Sequence, residues 1–288
     1  MKKPFFQGVC TALVTPFLNG EVNYPMMEQL LRRQLDAGIK SVVISGTTGE
    51  APTLTTEEKL EMFRRAKSFV GNQCQIIAGT GCNSTARTTD LSLAAQEAGV
   101  DGLLVVSPYY NKATADGLIA HYLTIAHRVQ VPILLYNVPS RTGLDIPISV
   151  YRQLSQYPNI LGVKEASGNL SKITRICNSC GDFYVWTGND EHIVPAMSLG
   201  AQGVVSVLSN VLPAQTLAMT DAMQAGDIDT ATALQQQLQP LIDLLFCEVN
   251  PIPVKAAMKY LGFDCGECRL PLTELSLEHQ KQLYKYFE

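Results

Sequence analysis

The sequence has no long hydrophobic run and no cluster of like charges. In its 288 residues no uninterrupted apolar segment approaches the roughly 20 residues needed to cross a bilayer, so no membrane-spanning helix is expected. The formal net charge is −4 with acidic and basic residues interspersed, which argues against nucleic acid as a partner. The first ten residues, MKKPFFQGVC, match a signal peptide poorly because glycine and polar residues interrupt the apolar stretch. We therefore expect a cytoplasmic protein.

Metal-binding patterns are also scarce. The four histidines are scattered and no HExxH motif occurs. Four of the eight cysteines form two CxxC pairs, Cys177/Cys180 and Cys265/Cys268, which together could hold one zinc ion. The pairs lie far apart and lack the flanking glycine or aromatic residue of a zinc knuckle. Free thiols are therefore favoured, with zinc, or a disulfide in the second pair, as alternatives. We expect neither a metal nor a cofactor, and organic groups must carry any chemistry.

What the sequence does contain is a regular series of short, β-branched apolar runs. They occupy residues 9–15, 41–46, 74–80, 102–108, 132–138, 160–166, 183–189 and 203–209. Such runs are typical of parallel strands covered on both faces, and amphipathic stretches with helical spacing lie between them. Eight strands alternating with helices predict an α/β fold of the (β/α)8 TIM-barrel type. An open, doubly wound sheet is the alternative, but the nearest glycine-rich turn, GTGCNS (79–84), lacks the third glycine.

The pattern changes after the eighth run. From about residue 212 onward only helical stretches follow, and the first of them can close the barrel as its eighth helix. The remaining stretches predict a C-terminal helical appendix. We therefore divide the chain into a catalytic barrel, residues 1–226, and an α-helical domain, residues 227–288.

Reactive side chains follow the predicted strands at the end where barrel enzymes carry their active sites. They lie in GTTGE (46–50), SPYYN (107–111), YNVPSRTG (136–143), at Lys164, and in GND (188–190). The apolar run LGVK ends on Lys164, although lysine is rarely buried without a partner. An amine in an apolar setting can be neutral near pH 7 and attack a carbonyl. The resulting iminium stabilises a carbanion on the neighbouring carbon.

Other groups at these strand ends suit the rest of such a reaction. A tyrosine can relay protons, threonine hydroxyls in a glycine-bounded turn suit a small carboxylate, and an arginine suits a second carboxylate. Each feature also has an ordinary alternative: Lys164 in a buried ion pair, a tyrosine in the core, GTTGE as a helix start, Arg141 at the surface. Their presence at successive strand ends favours an active site. Glu165 should point the other way, toward the helix layer.

The motifs GTTGEAPTLT, YYNK, YNVPSRTG, GVKEASG and GNDE occur in this order over nearly the whole chain. They resemble the dihydrodipicolinate synthase family, which belongs to the superfamily of pyruvate-dependent class I aldolases and N-acetylneuraminate lyases. The resemblance implies condensation of pyruvate with L-aspartate 4-semialdehyde to 4-hydroxy-tetrahydrodipicolinate, the first committed step of diaminopimelate and lysine synthesis. It also implies a homo-oligomer, at least a tight dimer and commonly a dimer of dimers.

The resemblance further implies a role for individual residues. Lys164 would form the Schiff base, and Tyr136 would transfer protons through a relay that includes Thr47 and Tyr110. Tyr110 would come from the neighbouring subunit. Thr47 and Thr48 would hold the pyruvate carboxylate, and Arg141 the carboxylate of the semialdehyde. Gly188 and Val205 would line the pocket.

Three alternatives to this function stay open. Sialic-acid lyases tend to read GSTGE and to lack the arginine, so Thr47 and Arg141 favour the synthases. An aldolase for a 2-keto-3-deoxy sugar acid would share the scaffold. An inactive barrel retained for small-molecule binding is the third alternative, and the intact set of predicted catalytic residues argues against it.

One position departs from the family pattern. Lysine-inhibited members carry an asparagine and, four positions on, an acidic residue, whereas here Asn83 is followed by Arg87. A cation at that position would repel the ammonium groups of lysine. Weak or absent feedback inhibition by lysine is therefore expected.

Overall fold

Eight parallel strands form a closed barrel in the computed structural model, which describes residues 2–288. The barrel strands are β1 (Gly8–Ala12), β4 (Ser41–Ile44), β5 (Gln75–Gly79), β6 (Gly102–Val106), β7 (Ile133–Asn137), β8 (Ile160–Glu165), β9 (Tyr184–Thr187) and β10 (Gly203–Ser206). Neighbouring strands follow chain order, and β1 closes the barrel by pairing with both β10 and β4. The predicted (β/α)8 barrel is confirmed.

Two further strands form a small antiparallel ribbon that the sequence analysis missed. They are β2 (Phe17–Leu18) and β3 (Glu21–Val22), joined by a turn in which Asn19 and Gly20 both have positive φ. Each strand has only two residues, which is too short for a periodic signal. The sequence analysis placed the first strand at residues 9–15. In the structure β1 ends at Ala12, so the last three residues of that run lie outside the strand.

Helices surround the barrel and continue beyond it. They are α1 (Tyr24–Asp36), α2 (Thr56–Val70), α3 (Thr85–Glu97), α4 (Ala115–Ala126), α5 (Pro139–Thr142), α6 (Ile148–Leu154), α7 (Leu170–Ser179), α8 (Ile193–Ser198), α9 (Leu208–Val211), α10 (Pro213–Ala225), α11 (Ile228–Leu245), α12 (Ile252–Tyr260) and α13 (Leu277–Phe287). Short 3-10 turns occupy Ala51–Thr53 and Asp190–His192. Within residues 2–288, no helix combines the length and the apolar character needed to cross a bilayer.

Local sequence signals explain where the helices begin and end, and α2 is an example. The Thr55 hydroxyl accepts a hydrogen bond from the Glu58 N–H, and the Glu58 carboxylate accepts one from the Thr55 N–H. This capping box satisfies two donors that the first turn of a helix leaves free. The helix then ends before Gly71, whose φ of 56° is unfavourable for other residues.

The C-terminal helical appendix is also present. Helix α10 ends at Gly226, α11 begins at Ile228, and α11 to α13 pack against one another. Helix α11 also contacts α8 and α10 of the barrel. The division at residue 226/227 stays a prediction.

Side chains of the barrel strands divide between two cores. One faces the helix layer. The other fills the barrel interior and comprises Cys10, Ala12, Val43, Ile77, Leu104, Leu134, Tyr136, Trp186 and Val205, with Phe6 and Val138 beside them. Trp186 stacks on Phe6 with 4.8 Å between ring centroids and donates a hydrogen bond from Nε1 to the Phe6 carbonyl. The interior is therefore packed solid, and any substrate must bind at an end of the barrel.

A register shift interrupts the pairing of β7 with β8. Ile133 pairs with Ile160, but the next residue, Leu134, pairs with Gly162, which leaves Leu161 without a partner opposite. Such a bulge moves every later residue of the strand to the other face. A Cβ at Gly162 would lie 2.1 Å from the Tyr184 carbonyl oxygen, so only glycine fits at the shift.

Replacing Gly162 by alanine tests this constraint. The added methyl would overlap the backbone of β9 and the Trp186 ring, so the free energy of unfolding should fall by about 2–3 kcal/mol or more. Urea denaturation would measure the loss. Gly117→Ala in α4 is the control, since its Cβ would meet only ordinary contacts. Equal stability of the two variants would contradict the argument.

Candidate active site

The two central residues of the predicted site lie side by side. In the ladder after the bulge, Tyr136 of β7 pairs with Lys164 of β8. Lys164 Nζ lies 4.5 Å from the centroid of the Tyr136 ring, and each residue is only 6% exposed. The structure therefore places an amine and a phenol together in an almost dry environment.

The alternative that Lys164 belongs to a buried structural ion pair does not hold. Two other lysines are equally buried and both have carboxylate partners: Lys172 pairs with Asp145, and Lys255 Nζ lies 2.8 Å from Glu50 Oε1. Across residues 2–288, no carboxylate lies within 4.0 Å of Lys164 Nζ. Because burying an unpaired amine is costly, its retention points to chemistry rather than to stability.

Gly188, which follows β9, leaves room for the Lys164 side chain. A Cβ at this position would lie 2.8 Å from Lys164 Cε and 2.7 Å from the Ala166 Cβ. Contacts this short do not occur in real structures, so any larger residue would displace the lysine. Gly188 therefore lies against the Lys164 side chain. Its predicted role in lining the pocket stays a prediction.

Glu165 points away from Lys164, as strand alternation predicted. Its carboxylate accepts hydrogen bonds from Asn137 Nδ2 at 2.9 and 3.0 Å and from the Tyr151 hydroxyl at 3.3 Å, and Lys172 Nζ lies 4.0 Å away. Burial and the nearby Glu165 charge raise the pKa of Tyr151 well above its ordinary value. This polar cluster lies between the barrel and α6 and α7, and its role is structural.

Thr47 and Thr48 lie in the turn after β4. Thr47 is half-buried, whereas Thr48 is buried and its hydroxyl accepts a hydrogen bond from Asn250 Nδ2 at 3.0 Å. Asn250 precedes α12, and its carbonyl oxygen lies 3.5 Å from Arg141 Nη2 at the outer limit of a hydrogen bond. Sequence reasoning assigned Asn250 no role.

Glu50 holds this turn in place. It adopts a left-handed conformation, with φ of 55°, and its buried carboxylate pairs with Lys255 and accepts a hydrogen bond from the Arg269 N–H at 2.8 Å. Lys255 and Arg269 also lie over the Phe17 ring, 4.5 and 4.4 Å from its centroid. The C-terminal segment thus anchors the turn that carries the threonines, an interaction that no sequence pattern predicted.

Val205 lies in β10, fully buried in the same interior cluster as Tyr136. The loop that follows is held by Asp190, whose Oδ2 accepts hydrogen bonds from the Val207 and Leu208 N–H groups, both at 2.9 Å. Burial, the largest cause, raises the pKa of Asp190 above its ordinary value. Asp190 belongs to the GND motif, but its supporting role was not predicted.

A cavity of about 490 Å³ opens at this end of the barrel. Thr47, Tyr136 and Arg141 line it, and Arg141 is exposed, which suits a residue at a pocket mouth. Among the described residues of the predicted set, Lys164, Thr48, Gly188, Val205 and Tyr110 are not part of the lining. Lys164, Thr48 and Val205 are buried and Gly188 is half-buried, whereas Tyr110 is exposed.

Tyr110 does not reach the site of its own chain. Its side chain is 86% exposed, and its backbone has a φ of 75°. The neighbouring Tyr109 lines the cavity instead. One chain therefore does not assemble the predicted relay of Tyr136, Thr47 and Tyr110.

The cysteines take no part in this site, apart from Cys82 in the cavity lining. All eight are free thiols, and burial raises the pKa of Cys265 and of Cys268 to about 12. Nowhere in residues 2–288 do three or more His, Cys, Asp or Glu side chains gather as they would around a metal ion.

Comparisons with known proteins agree with this geometry. Residues 5–288 match the Dihydrodipicolinate synthetase family. The chain is 45% identical to the 4-hydroxy-tetrahydrodipicolinate synthase of Thermoanaerobacter sp. strain X514, over 98% of this chain and 97% of that protein. It is 41% identical to the dihydrodipicolinate synthase structure from Aquifex aeolicus, with a TM-score of 0.96 and coverage of 98% and 97%. The enzyme from Cyanidioschyzon merolae, solved with lysine bound, is 40% identical, with a TM-score of 0.95 and coverage of 98% and 97%.

Substitution of Lys255 tests the anchoring of the threonine turn. Lys255→Met leaves Glu50 as an uncompensated buried charge, so the free energy of unfolding should fall by about 3–5 kcal/mol. The double variant Glu50→Gln/Lys255→Met removes both charges and should recover a large part of the loss. Urea unfolding of both variants provides the comparison, and a double variant no more stable than the single one would argue against the ion pair as the anchor.

Proposed function

This chain belongs to the Dihydrodipicolinate synthetase family and condenses pyruvate with L-aspartate 4-semialdehyde, and we propose that Lys164 forms the Schiff base with pyruvate. The observation that carries this proposal is the buried Lys164 amine, which has no carboxylate partner and lies against Tyr136. In this position the amine can attack the pyruvate carbonyl as a nucleophile.

The reaction then proceeds through the iminium as an electron sink. The Lys164 amine adds to C2 of pyruvate, and the carbonyl oxygen leaves as water. Loss of a proton from C3 gives an enamine, whose carbon attacks the aldehyde of the semialdehyde. The amino group of the condensed product next attacks C2, which closes the ring and releases Lys164 as the free amine. The product is 4-hydroxy-tetrahydrodipicolinate, in the pathway to diaminopimelate and lysine.

Tyr136 is our candidate for the proton transfers. Its ring is in contact with the Lys164 amine, and it lines the cavity through which both substrates must enter. A phenol in this position can donate a proton to the leaving water and take one from a carbon or nitrogen later. Thr47, in the same cavity, is our candidate for the next member of the relay.

The carboxylates of the two substrates need separate binding groups. We assign the pyruvate carboxylate to Thr47 and Thr48, because their turn is rigidly anchored beside the cavity by Glu50 and Asn250. We assign the semialdehyde carboxylate to Arg141 at the mouth, where a guanidinium can bind it in bidentate geometry. Gly188 and Val205 shape the pocket around the amine.

The exposed Tyr110 supports a dimer. Its side chain is 86% exposed, and its backbone adopts a positive φ, which is strained for a residue other than glycine. We propose that it inserts into the site of the neighbouring subunit and completes the relay there, within a tight dimer or a dimer of dimers. We also propose that the enzyme works in the cytoplasm, where free thiols such as its eight cysteines are typical.

Borohydride trapping tests the Schiff base. Reduction in the presence of pyruvate should attach a three-carbon adduct to Lys164 and abolish turnover with the semialdehyde. Peptide mass spectrometry identifies which lysine carries the adduct. The equally buried Lys172 and Lys255 are internal controls, because they are held in ion pairs and should stay unmodified. An adduct at either of them, or at no lysine, would overturn the assignment.

Steady-state inhibition tests the expectation about lysine. Arg87 lines the cavity together with Lys59, so two cations face any ligand that binds there. Sub-millimolar lysine should leave the condensation rate unchanged, because its ammonium groups would be repelled. Inhibition in this range would show that lysine binds despite these charges.

A further inference from the structure

Two buried polar side chains lie directly beyond the proposed catalytic pair. In the ladder of β7 with β8, Tyr136 pairs with Lys164, and the next residue, Asn137, pairs with Glu165. Successive side chains of a strand point to opposite faces, so Asn137 and Glu165 lie on the helix side of the same two strands. Their exposed fractions are 0% and 2%. Each is thus the direct chain neighbour of a proposed catalytic residue.

Hydrogen bonds join the end of β7 to the end of β8 through these two residues. Asn137 Nδ2 donates to both carboxylate oxygens of Glu165, at 2.9 and 3.0 Å. The Asn137 carbonyl oxygen accepts the Ala166 N–H at 2.9 Å, and its Oδ1 accepts the Ile146 N–H at 3.0 Å. Hydrogen bonds to a carboxylate are stronger than those between neutral groups. This link therefore holds the two strand ends at one separation.

Glu165 also binds the strand on its other side. Its carbonyl oxygen accepts the Gly188 N–H at 2.8 Å, and its Oε1 accepts the Ser167 N–H at 2.9 Å. Gly188 is the residue that leaves room for the Lys164 side chain. The backbone that carries Lys164 is thus held from β7, from the end of β9 and from the segment that follows β8.

Stability alone does not explain why a carboxylate lies here. Buried charged groups must lose their water, and apolar residues of similar size often stabilise a protein as well. Lys172 Nζ is 4.0 Å from Glu165 Oε2, while it pairs with Asp145 and donates to the Ile146 carbonyl oxygen at 2.8 Å. What Glu165 supplies, and an apolar residue would not, is a set of directional bonds between strand ends.

We propose that Asn137 and Glu165 are positioning residues, which hold the Lys164 amine and the Tyr136 phenol in the geometry that the reaction requires. Neither lines the cavity, so each acts through its neighbour in its own strand. The structural role of the cluster thereby extends to the reaction. A misplacement of about 1 Å can lower a rate by about 100-fold. This positioning role rests on the roles proposed above for Lys164 and Tyr136.

Exchanging donor and acceptor tests the link. Asn137→Asp places a carboxylate against those of Glu165 and Asp145, so the strand ends should move apart and kcat should fall by about tenfold or more. In Asn137→Asp/Glu165→Gln the introduced amide can donate to the introduced carboxylate, so most of the lost kcat should return. The KM for the semialdehyde should change by less than about twofold, since its proposed binding group, Arg141, is unaltered.

Asp145→Asn is the matched control. Asp145 belongs to the same cluster and accepts a hydrogen bond from Asn137 Nδ2 at 2.8 Å, but its side chain is 55% exposed and it does not join the two strands. The substitution weakens the partner of Lys172, so the free energy of unfolding in urea should fall while kcat stays unchanged. Circular dichroism establishes that each variant is folded. Asn137→Ser, which removes the donor without adding a charge, serves if Asn137→Asp does not fold.

Two results would overturn the positioning role. One is a wild-type kcat in folded Asn137→Asp or Asn137→Ser enzyme. The other is a folded double variant whose kcat is no higher than that of Asn137→Asp. Borohydride trapping separates both from failure of the proposed function. Wild-type enzyme without a pyruvate adduct at Lys164 would contradict the Schiff base, whereas an adduct together with either result would contradict the positioning role alone.

Discussion

The active site depends on the register of one strand pair. Ile160 faces the helix layer, and strict alternation from it would turn Lys164 outward and Glu165 into the barrel. The unpaired Leu161 shifts this pattern by one residue, so Val163 and Glu165 face the helices and Lys164 lies beside Tyr136. Because of this single bulge, the Lys164 amine faces the barrel interior and the Glu165 carboxylate does not.

The residues around the amine are held by parts of the chain that lie far away in sequence. Glu50 pairs with Lys255, Asn250 reaches Thr48, and Asp190 binds the loop after β10. The first two contacts bind the C-terminal segment to the turn after β4, so the appendix is part of the support of the site. Glu50 can keep its left-handed conformation in the turn after Thr47 because its buried carboxylate is paired with Lys255.

Charge is distributed unevenly over this framework. Lys172 and Lys255 are buried with carboxylates and stabilise the structure, whereas the equally buried Lys164 has no carboxylate partner. Lys59 and Arg87 line the cavity. The anionic character of both substrates fits this distribution.

The sequence by itself determined the strand count, the barrel, the position of Lys164 at a strand end and the separation of Lys164 from Glu165, since these follow from local periodicity. Only the tertiary structure decided that Lys164 has no ion pair, that Asn250 and Lys255 support the threonine turn, and that Tyr110 is exposed and does not line the cavity of its own chain. These facts depend on distances between residues up to about two hundred positions apart, and on one bulge that alternation cannot reveal. Hydrophobic periodicity predicts which face of a single strand or helix is buried. Contacts between the ends of different strands form only when the barrel closes.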